Sequence, residues 1–339
     1  MSGNSPGQDA IEQRLRRSIE AYHEAALLYA AVKLALAEKM GARSWTAAAL
    51  AEALGLSAPH LARFLRGLCS TGICEQRPGD NFALTPFGQS LTQDSSLGQK
   101  ARIVVEQYWL PWANLIASLP AGTPAFDQIF GMSVFDWRRE HAAQGALFDS
   151  YLAKETSAHT GVIVESLDLS GVRTVAEIGG GYGALLVSIL KAHPHIAGVL
   201  FERQHKLDGA KAYLQSLGVD ERVALASDDC LAEIPMKADL YLLKGVLQQH
   251  DDAGAAAILR NCRAAMTDRT RLVIIERLLP ERAADDSALV MLDLHMMTIT
   301  GGRARSLPEF EALLSDAGFT LSKLTQTPAG LSIIQAGTA

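Results

Sequence analysis

The residues with the clearest chemical pattern are a cluster of glycines and three acids spaced around it. Gly179, Gly180, Gly181 and Gly183 follow the apolar run Val175-Ala176-Glu177-Ile178 and precede an apolar helical stretch over 184–192. Glycine lets a backbone turn sharply and approach a ligand closely, and the amides that open the next helix point at whatever lies there. Nucleotide and dinucleotide binders of several kinds share such a turn. Two acids sharpen the pattern. Glu202 closes the next apolar run, about twenty residues on, where a carboxylate grips ribose hydroxyls. Asp229 follows the third run, in Ser227-Asp228-Asp229-Cys230, where a carboxylate accepts a hydrogen bond from an adenine amino group. With Glu177 ahead of the glycines, the ordered set suits an adenosyl ligand without a pyrophosphate, since the chain has no Walker lysine and no phosphate clamp.

These residues need a scaffold, and from residue 172 onward the sequence supplies one. Strand-like runs over 172–178, 198–201, 223–226, 238–243, 271–276 and 331–335 alternate with helical stretches. That alternation predicts a parallel sheet wound with helices, an α/β Rossmann-like fold. The N-terminal part reads differently. Helical periodicity runs over 12–40, followed by an Ala-rich helix to Leu54, Gly55 and a new helix after Ser57, with short strands around 82–84. This is a winged helix-turn-helix pattern. A DNA-reading helix would be basic, yet 57–68 offers only His60, Arg63 and Arg66, while Leu61, Phe64, Leu65 and Leu68 form a packing face. A dimerisation module is the better reading. Between the two parts, aromatics including Tyr108, Trp112 and Trp137 are candidates to line an acceptor pocket. The expected division is a dimerisation domain over 1–100, a helical linker and lid over 101–165, and the sheet domain over 166–339.

Bulk properties narrow the partners. The 339 residues are 48% hydrophobic and 20% charged, enough for sizeable cores in two domains. A net charge of -6 argues against bulk nucleic-acid binding. No apolar run is long enough to span a bilayer, and residues 1–13 lack the layout of a signal peptide, so a cytoplasmic protein with no membrane partner is expected. The four cysteines lack metal spacing and read as reduced, buried thiols.

Six motifs together resemble the class I O-methyltransferases of the caffeate and hydroxyindole type, including their bacterial antibiotic-pathway relatives. They are AEIGGGYG (176–183), VLFE (199–202), LLKGVLQQHDD (242–252), ERLLP (276–280), DLHMMTITGGRARS (293–306) and LLSDAGF (313–319). The resemblance covers nearly the whole chain. It implies S-adenosyl-L-methionine as cofactor, a homodimer, and a cofactor site lined by Gly179, Gly181, Glu202, Asp229 and Lys244, with Cys230 packed on adenine. It also implies a small-molecule acceptor; Tyr108, Trp112, Trp137 and Arg303 are the candidates from the residues themselves, and His295 stands where family members place a histidine in the pocket or in helix packing.

The chain departs from that family where the family deprotonates its substrate. Members of the type read L-H-D-W after the fourth strand, with the histidine as general base, whereas this chain reads Leu247-Gln248-Gln249-His250. A glutamine takes no proton at any useful pH. Glu276 survives as one acidic partner, but Gly301-Gly302-Arg303-Ala304-Arg305 lacks the other. Methyl transfer from a sulfonium is an in-line displacement that proximity and alignment largely drive. The expectation is therefore an acceptor that needs no base, first a thioether sulfur such as that of 4-methylthio-2-hydroxybutyrate on the route to dimethylsulfoniopropionate. Gln248 would hydrogen-bond the substrate and Glu276 would orient it or meet developing positive charge. A carboxylate substrate would want an arginine, for which Arg303, Arg305, Arg138 and Arg139 are candidates. Two alternatives stand beside this: O- or N-methylation of an aromatic secondary metabolite with His250 as base, and a cofactor-binding protein with a non-methylating role. A metal site on His250, Asp251 and His295 is not expected, because the positions of metal ligands in relatives that use one are Gln248 and Gln249 here.

Overall fold

The computed structural model describes residues 6–338, and the chain divides into two compact units, residues 1–109 and 110–339. The N-terminal unit opens with helices Pro6–Glu20, Tyr22–Lys33 and Leu36–Met40. The periodicity over 12–40 is thus interrupted rather than continuous. Ala35 carries a left-handed φ of 51° at the last break, a conformation that only a fixed tertiary context imposes on a residue with a Cβ. Helices Ala47–Leu54 and Ala58–Ser70 follow, the first capped by the Thr46 side chain and closed by Gly55 with a left-handed φ. Strands β1 (Trp45–Thr46), β2 (Cys74–Arg77) and β3 (Asn81–Leu84) form an antiparallel sheet in the order β1-β3-β2. Leu61, Leu65 and Leu68 of the second helix are buried with Leu36, Met40, Leu50 and Phe82, so that helix face is core. Ile11, Leu15 and Ile19, four residues apart along the first helix, are exposed.

The larger unit holds a seven-stranded sheet in the order β6-β5-β4-β7-β8-β10-β9. Its strands are β4 (Thr174–Ile178), β5 (Ala197–Glu202), β6 (Val223–Ser227), β7 (Leu240–Lys244), β8 (Arg271–Glu276), β9 (Phe319–Gln326) and β10 (Ser332–Thr338). The first five are parallel and β10 and β9 close the edge antiparallel. Side chains alternate faces along a strand. Ala176, Ile178, Tyr241, Leu243, Leu272 and Ile274 pack in one core with Ile258, Leu259, Phe310 and Leu314. Val175, Leu200, Leu242, Val273 and Ile275 pack in the other with Leu185, Leu186, Ile189 and Leu190. Strands buried on both faces read as continuous apolar runs, which is why their sequence signal is strong. Strand order reverses between β5-β4 and β4-β7, and ligands of such sheets bind beyond the carboxyl ends of the strands at that switch.

Candidate active site

Every acid and lysine singled out for the cofactor, together with Glu276 from the expected acceptor machinery, falls at those carboxyl ends. Glu177 is the penultimate residue of β4, Glu202 ends β5, Lys244 ends β7, Glu276 ends β8, and Asp229 lies two residues past β6. The parallel register pairs Ile178 with both Phe201 and Leu243, which brings the Gly179 turn level with Glu202 and Lys244.

The glycine turn is built from both sides. Gly179, Gly181 and Gly183 have φ of 66°, 61° and 82°, the left-handed region that favours glycine. Behind the turn, Glu177 shares the face of Val175 and is buried, and its Oε2 accepts from the Leu186 amide at 3.1 Å in the first turn of helix Ala184–Ala192. A Cβ on Gly180 would lie 2.5–2.8 Å from that carboxyl group. Glu177 thus caps the helix from behind the turn, where the sequence expectation placed it among the lining residues. Burial pushes its carboxyl up to about 7, against the Leu186 amide and Lys244. On the other side, the Gly181 amide donates to Glu202 Oε1 at 2.9 Å, and a Cβ on Gly181 would meet nothing within 4 Å. Glu202 Oε2 accepts from the Arg203 amide at 2.9 Å. A buried carboxylate fixed by two amides beside an open glycine backbone fits the ribose of an adenosyl group.

Asp229 Oδ1 accepts from the Leu231 amide at 3.0 Å, and its Oδ2 lies 3.6 Å from the Arg203 guanidinium. That guanidinium sits 5.1 Å from the Phe135 ring centroid, and Phe135 stacks on the His250 imidazole at 6.1 Å. His250 therefore belongs to the group around Asp229, the end expected to hold adenine. Burial, with Arg203 nearby, lowers the pKa of its imidazole from the usual histidine value. Cys230 is half-buried, and burial pushes its thiol up to about 12, so it is an apolar wall rather than a nucleophile. Lys244 donates to Thr156 Oγ1 at 3.2 Å, and burial lowers its pKa against the pull of Glu177.

The base position is a short 3-10 turn, Leu247–Gln249. The Gln248 amide donates to Glu276 Oε1 at 3.0 Å, and Gln249 Nε2 donates to the Gly245 carbonyl at 2.7 Å. Glu276 is buried, and burial pushes its carboxyl up to about 7. It therefore acts on the turn's backbone. From the other side Arg305, 1% exposed, donates to the Leu247 and His250 carbonyls at 3.0 Å each and to Asp252. A Cβ on Gly302 would lie 2.2 Å from the Gln248 carbonyl oxygen, so the 301–305 segment packs directly on the turn.

The substrate candidates separate. Trp112 Nε1 donates to His295 Nδ1 at 3.0 Å with the rings stacked, which places the proton of a neutral His295 on Nε2. Both are half-buried. Trp137 is 8% exposed and packs against Phe126, Phe130 and His141, so it is aromatic core rather than an open pocket wall. Arg303 is held by Asp252 and Glu309, so its charge is matched within the protein instead of awaiting a carboxylate substrate. Tyr108 ends a π-helical turn, Val104–Tyr108, in the N-terminal unit. Two residues that sequence reasoning missed, Lys206 and Asp149, stand directly behind Glu202. A lysine in the first turn of a polar helix carries no sequence signal that separates it from a surface residue.

With this geometry in hand, comparisons with known proteins converge. The O-methyltransferase domain matches residues 112–320 and the O-methyltransferase dimerisation domain residues 17–94. The phenazine O-methyltransferase of Lysobacter antibioticus is 33% identical over 98% of this chain and 98% of its own length. The phenazine-1-carboxylate N-methyltransferase of Pseudomonas aeruginosa is 31% identical over 92% of this chain and 93% of its own. The solved structure of the mitomycin 7-O-methyltransferase covers 99% of this chain and 100% of its own with a TM-score of 0.94 and 29% identity. An O-methyltransferase from neocarzinostatin biosynthesis was solved with S-adenosylmethionine and 2-hydroxy-5-methyl naphthoic acid. It covers 94% of this chain and 96% of its own, with a TM-score of 0.81 and 27% identity.

Proposed function

Because this chain belongs to the O-methyltransferase family, we propose that it methylates an oxygen or a nitrogen of a small aromatic secondary metabolite, working as a homodimer. It is an S-adenosylmethionine-dependent methyltransferase of small molecules. The thioether acceptor inferred from Gln248, and with it the link to dimethylsulfoniopropionate, gives way to this reading. The observation that carries it is that an oxygen-directed and a nitrogen-directed phenazine methyltransferase each match more than nine-tenths of this chain.

The bound cofactor supplies a methyl group on a sulfonium sulfur, an electrophile that needs only a well-placed lone pair. Glu202 and Asp229 would hold the ribose and adenine, and the Gly179–Gly181 backbone would receive the remainder of the cofactor. Lys244, half-buried and hydrogen-bonded to Thr156, presents its ammonium-bearing side chain at the end of β7, where burial lowers its pKa against the pull of Glu177. Gln248 presents an amide that orients the acceptor by hydrogen bonding, and Glu276 and Arg305 fix the turn that carries it. His250 stacks on Phe135 beside Arg203, at the end assigned to adenine, and this reading gives it no role as base. The acceptor that suits such a site is one that needs no strong base: an aromatic ring nitrogen, an arylamine, or a phenol acidic enough to ionise near neutral pH.

A series of phenols of graded acidity, assayed for methyl transfer across pH 6–9, tests this. The reading expects the rate at fixed pH to follow the phenolate fraction of each substrate. A rate independent of phenol acidity, governed by one enzyme group, would mean that the protein carries a general base.

A further inference from the structure

The reading above leaves unused a buried charge cluster behind Glu202. Lys206 lies in the first turn of helix Gln204–Ser216, so its side chain runs back toward the end of β5. Its Nζ is 3.4 Å from Glu202 Oε1 and 3.3 Å from Asp149 Oδ1 of helix Ala142–Ser157. Side-chain exposure is 20% for Lys206, 8% for Asp149 and 6% for Glu202. At this depth the pairs are shielded from solvent, unlike surface ion pairs. Asp149 Oδ1 is buried and pairs with the Lys206 ammonium at 3.3 Å, with Arg138 acting on it at longer range.

We propose that Lys206 and Asp149 are positioning residues that hold Glu202 in the orientation that receives the cofactor's ribose. This rests on the assignment of Glu202 to that ribose. Lys206 sits between two buried carboxylates that would otherwise face each other. With it in place, Glu202 keeps Oε1 on the Gly181 amide. Without it, repulsion from Asp149 either turns Glu202 away from the glycine turn or makes one of the two carboxylates take up a proton. The groups that face Asp149 are Lys206 and His205 from helix Gln204–Ser216, Glu202 at the end of β5, Arg138 from helix Val134–Glu140 and Tyr182 from the glycine turn. The same helix that carries Asp149 carries Thr156, the partner of Lys244, so it is tied to the cofactor residues at two points.

The test is calorimetric binding of S-adenosylhomocysteine to wild type, Glu202→Gln, Lys206→Met and the double variant Lys206→Met/Asp149→Asn, at pH 6 and pH 8. The inference expects Lys206→Met to bind about tenfold more weakly than wild type at pH 8 and closer to wild type at pH 6. The double variant, which lacks the unmatched carboxylate, should return to within about threefold of wild type. If Lys206→Met binds as wild type while Glu202→Gln is weakened, the inference is wrong and the Glu202 assignment stands. If Glu202→Gln binds as wild type, that assignment fails and the inference with it. Should Lys206→Met not fold, the double variant carries the test alone, and a loss of about tenfold or more in it overturns the inference.

Discussion

Replacing Arg305 by methionine removes the clamp on the turn that presents Gln248. The guanidinium is 1% exposed and makes three bonds of 3.0 Å, to Asp252, to the Leu247 carbonyl and to the His250 carbonyl. Asp252 is 62% exposed at its side chain, so that pair is solvent-screened and contributes roughly 0–1 kcal/mol. The two carbonyls matter more. Each loses a charge-assisted partner in a packed interior, at about 1–3 kcal/mol apiece. Methionine retains most of the packing of the aliphatic stem, so these terms alone set the loss, at about 2–7 kcal/mol of stability. Urea unfolding of the variant and wild type at pH 7 measures it. The loosened turn should also lower kcat while leaving S-adenosylhomocysteine affinity within about threefold of wild type, because Arg305 contacts none of the residues assigned to the cofactor. A stability loss below about 1 kcal/mol would refute the reasoning, since it would mean that the turn holds its carbonyls without Arg305.

Other consequences follow from the same geometry. Glu276 has its carboxyl raised by burial from 4.5 to about 7, so folding favours its protonated form. Its contribution is fully present below pH 4.5 and is lost as pH rises to about 7, amounting to about 3 kcal/mol in total. Glu276→Gln should therefore flatten the decline in stability between pH 4.5 and 7, as read from urea midpoints; an unchanged slope would contradict the assignment. Gln248→His places an imidazole at the base position and should raise transfer to weakly acidic phenols by about tenfold or more, with little effect on nitrogen acceptors; equal effects on both would argue that Gln248 does not face the acceptor. Gly180→Ala drives a methyl group into the Glu177 carboxyl and should weaken S-adenosylhomocysteine binding about tenfold and cost about 1–3 kcal/mol of stability, whereas wild-type values would mean that the turn yields freely.

The sequence was most legible where burial is two-sided. The parallel strands β4, β5, β7 and β8, and also the only partly buried edge strand β6, lay within a few residues of their apolar runs, and the glycines and acids at their carboxyl ends could be read because spacing along a parallel sheet maps onto position in the site. Strand β9 carried no such signal. Its sequence, Phe319 to Gln326, is mostly polar and sits at the sheet edge with only Phe319 buried. Arginines defeated the sequence reading for a different reason. Arg303 and Arg305 stand two residues apart with the same chemistry, yet one is bound by two acids and the other is buried as a backbone clamp. Only tertiary contacts assign them. Trp137 shows the same limit: an aromatic in a cluster is core or pocket according to what stacks on it.

The atom that receives the methyl group distinguishes an aromatic oxygen or nitrogen acceptor from a thioether sulfur most directly. Purified protein with methyl-labelled S-adenosylmethionine should be offered hydroxylated phenazines and naphthoates, aromatic ring nitrogens, arylamines and small thioether acids, with each product's methylation site identified by mass spectrometry and NMR. Label on an aromatic oxygen or nitrogen, with none on the thioethers, is the expected result. Label confined to thioether sulfur would contradict the account and return the reading to a base-free sulfur acceptor.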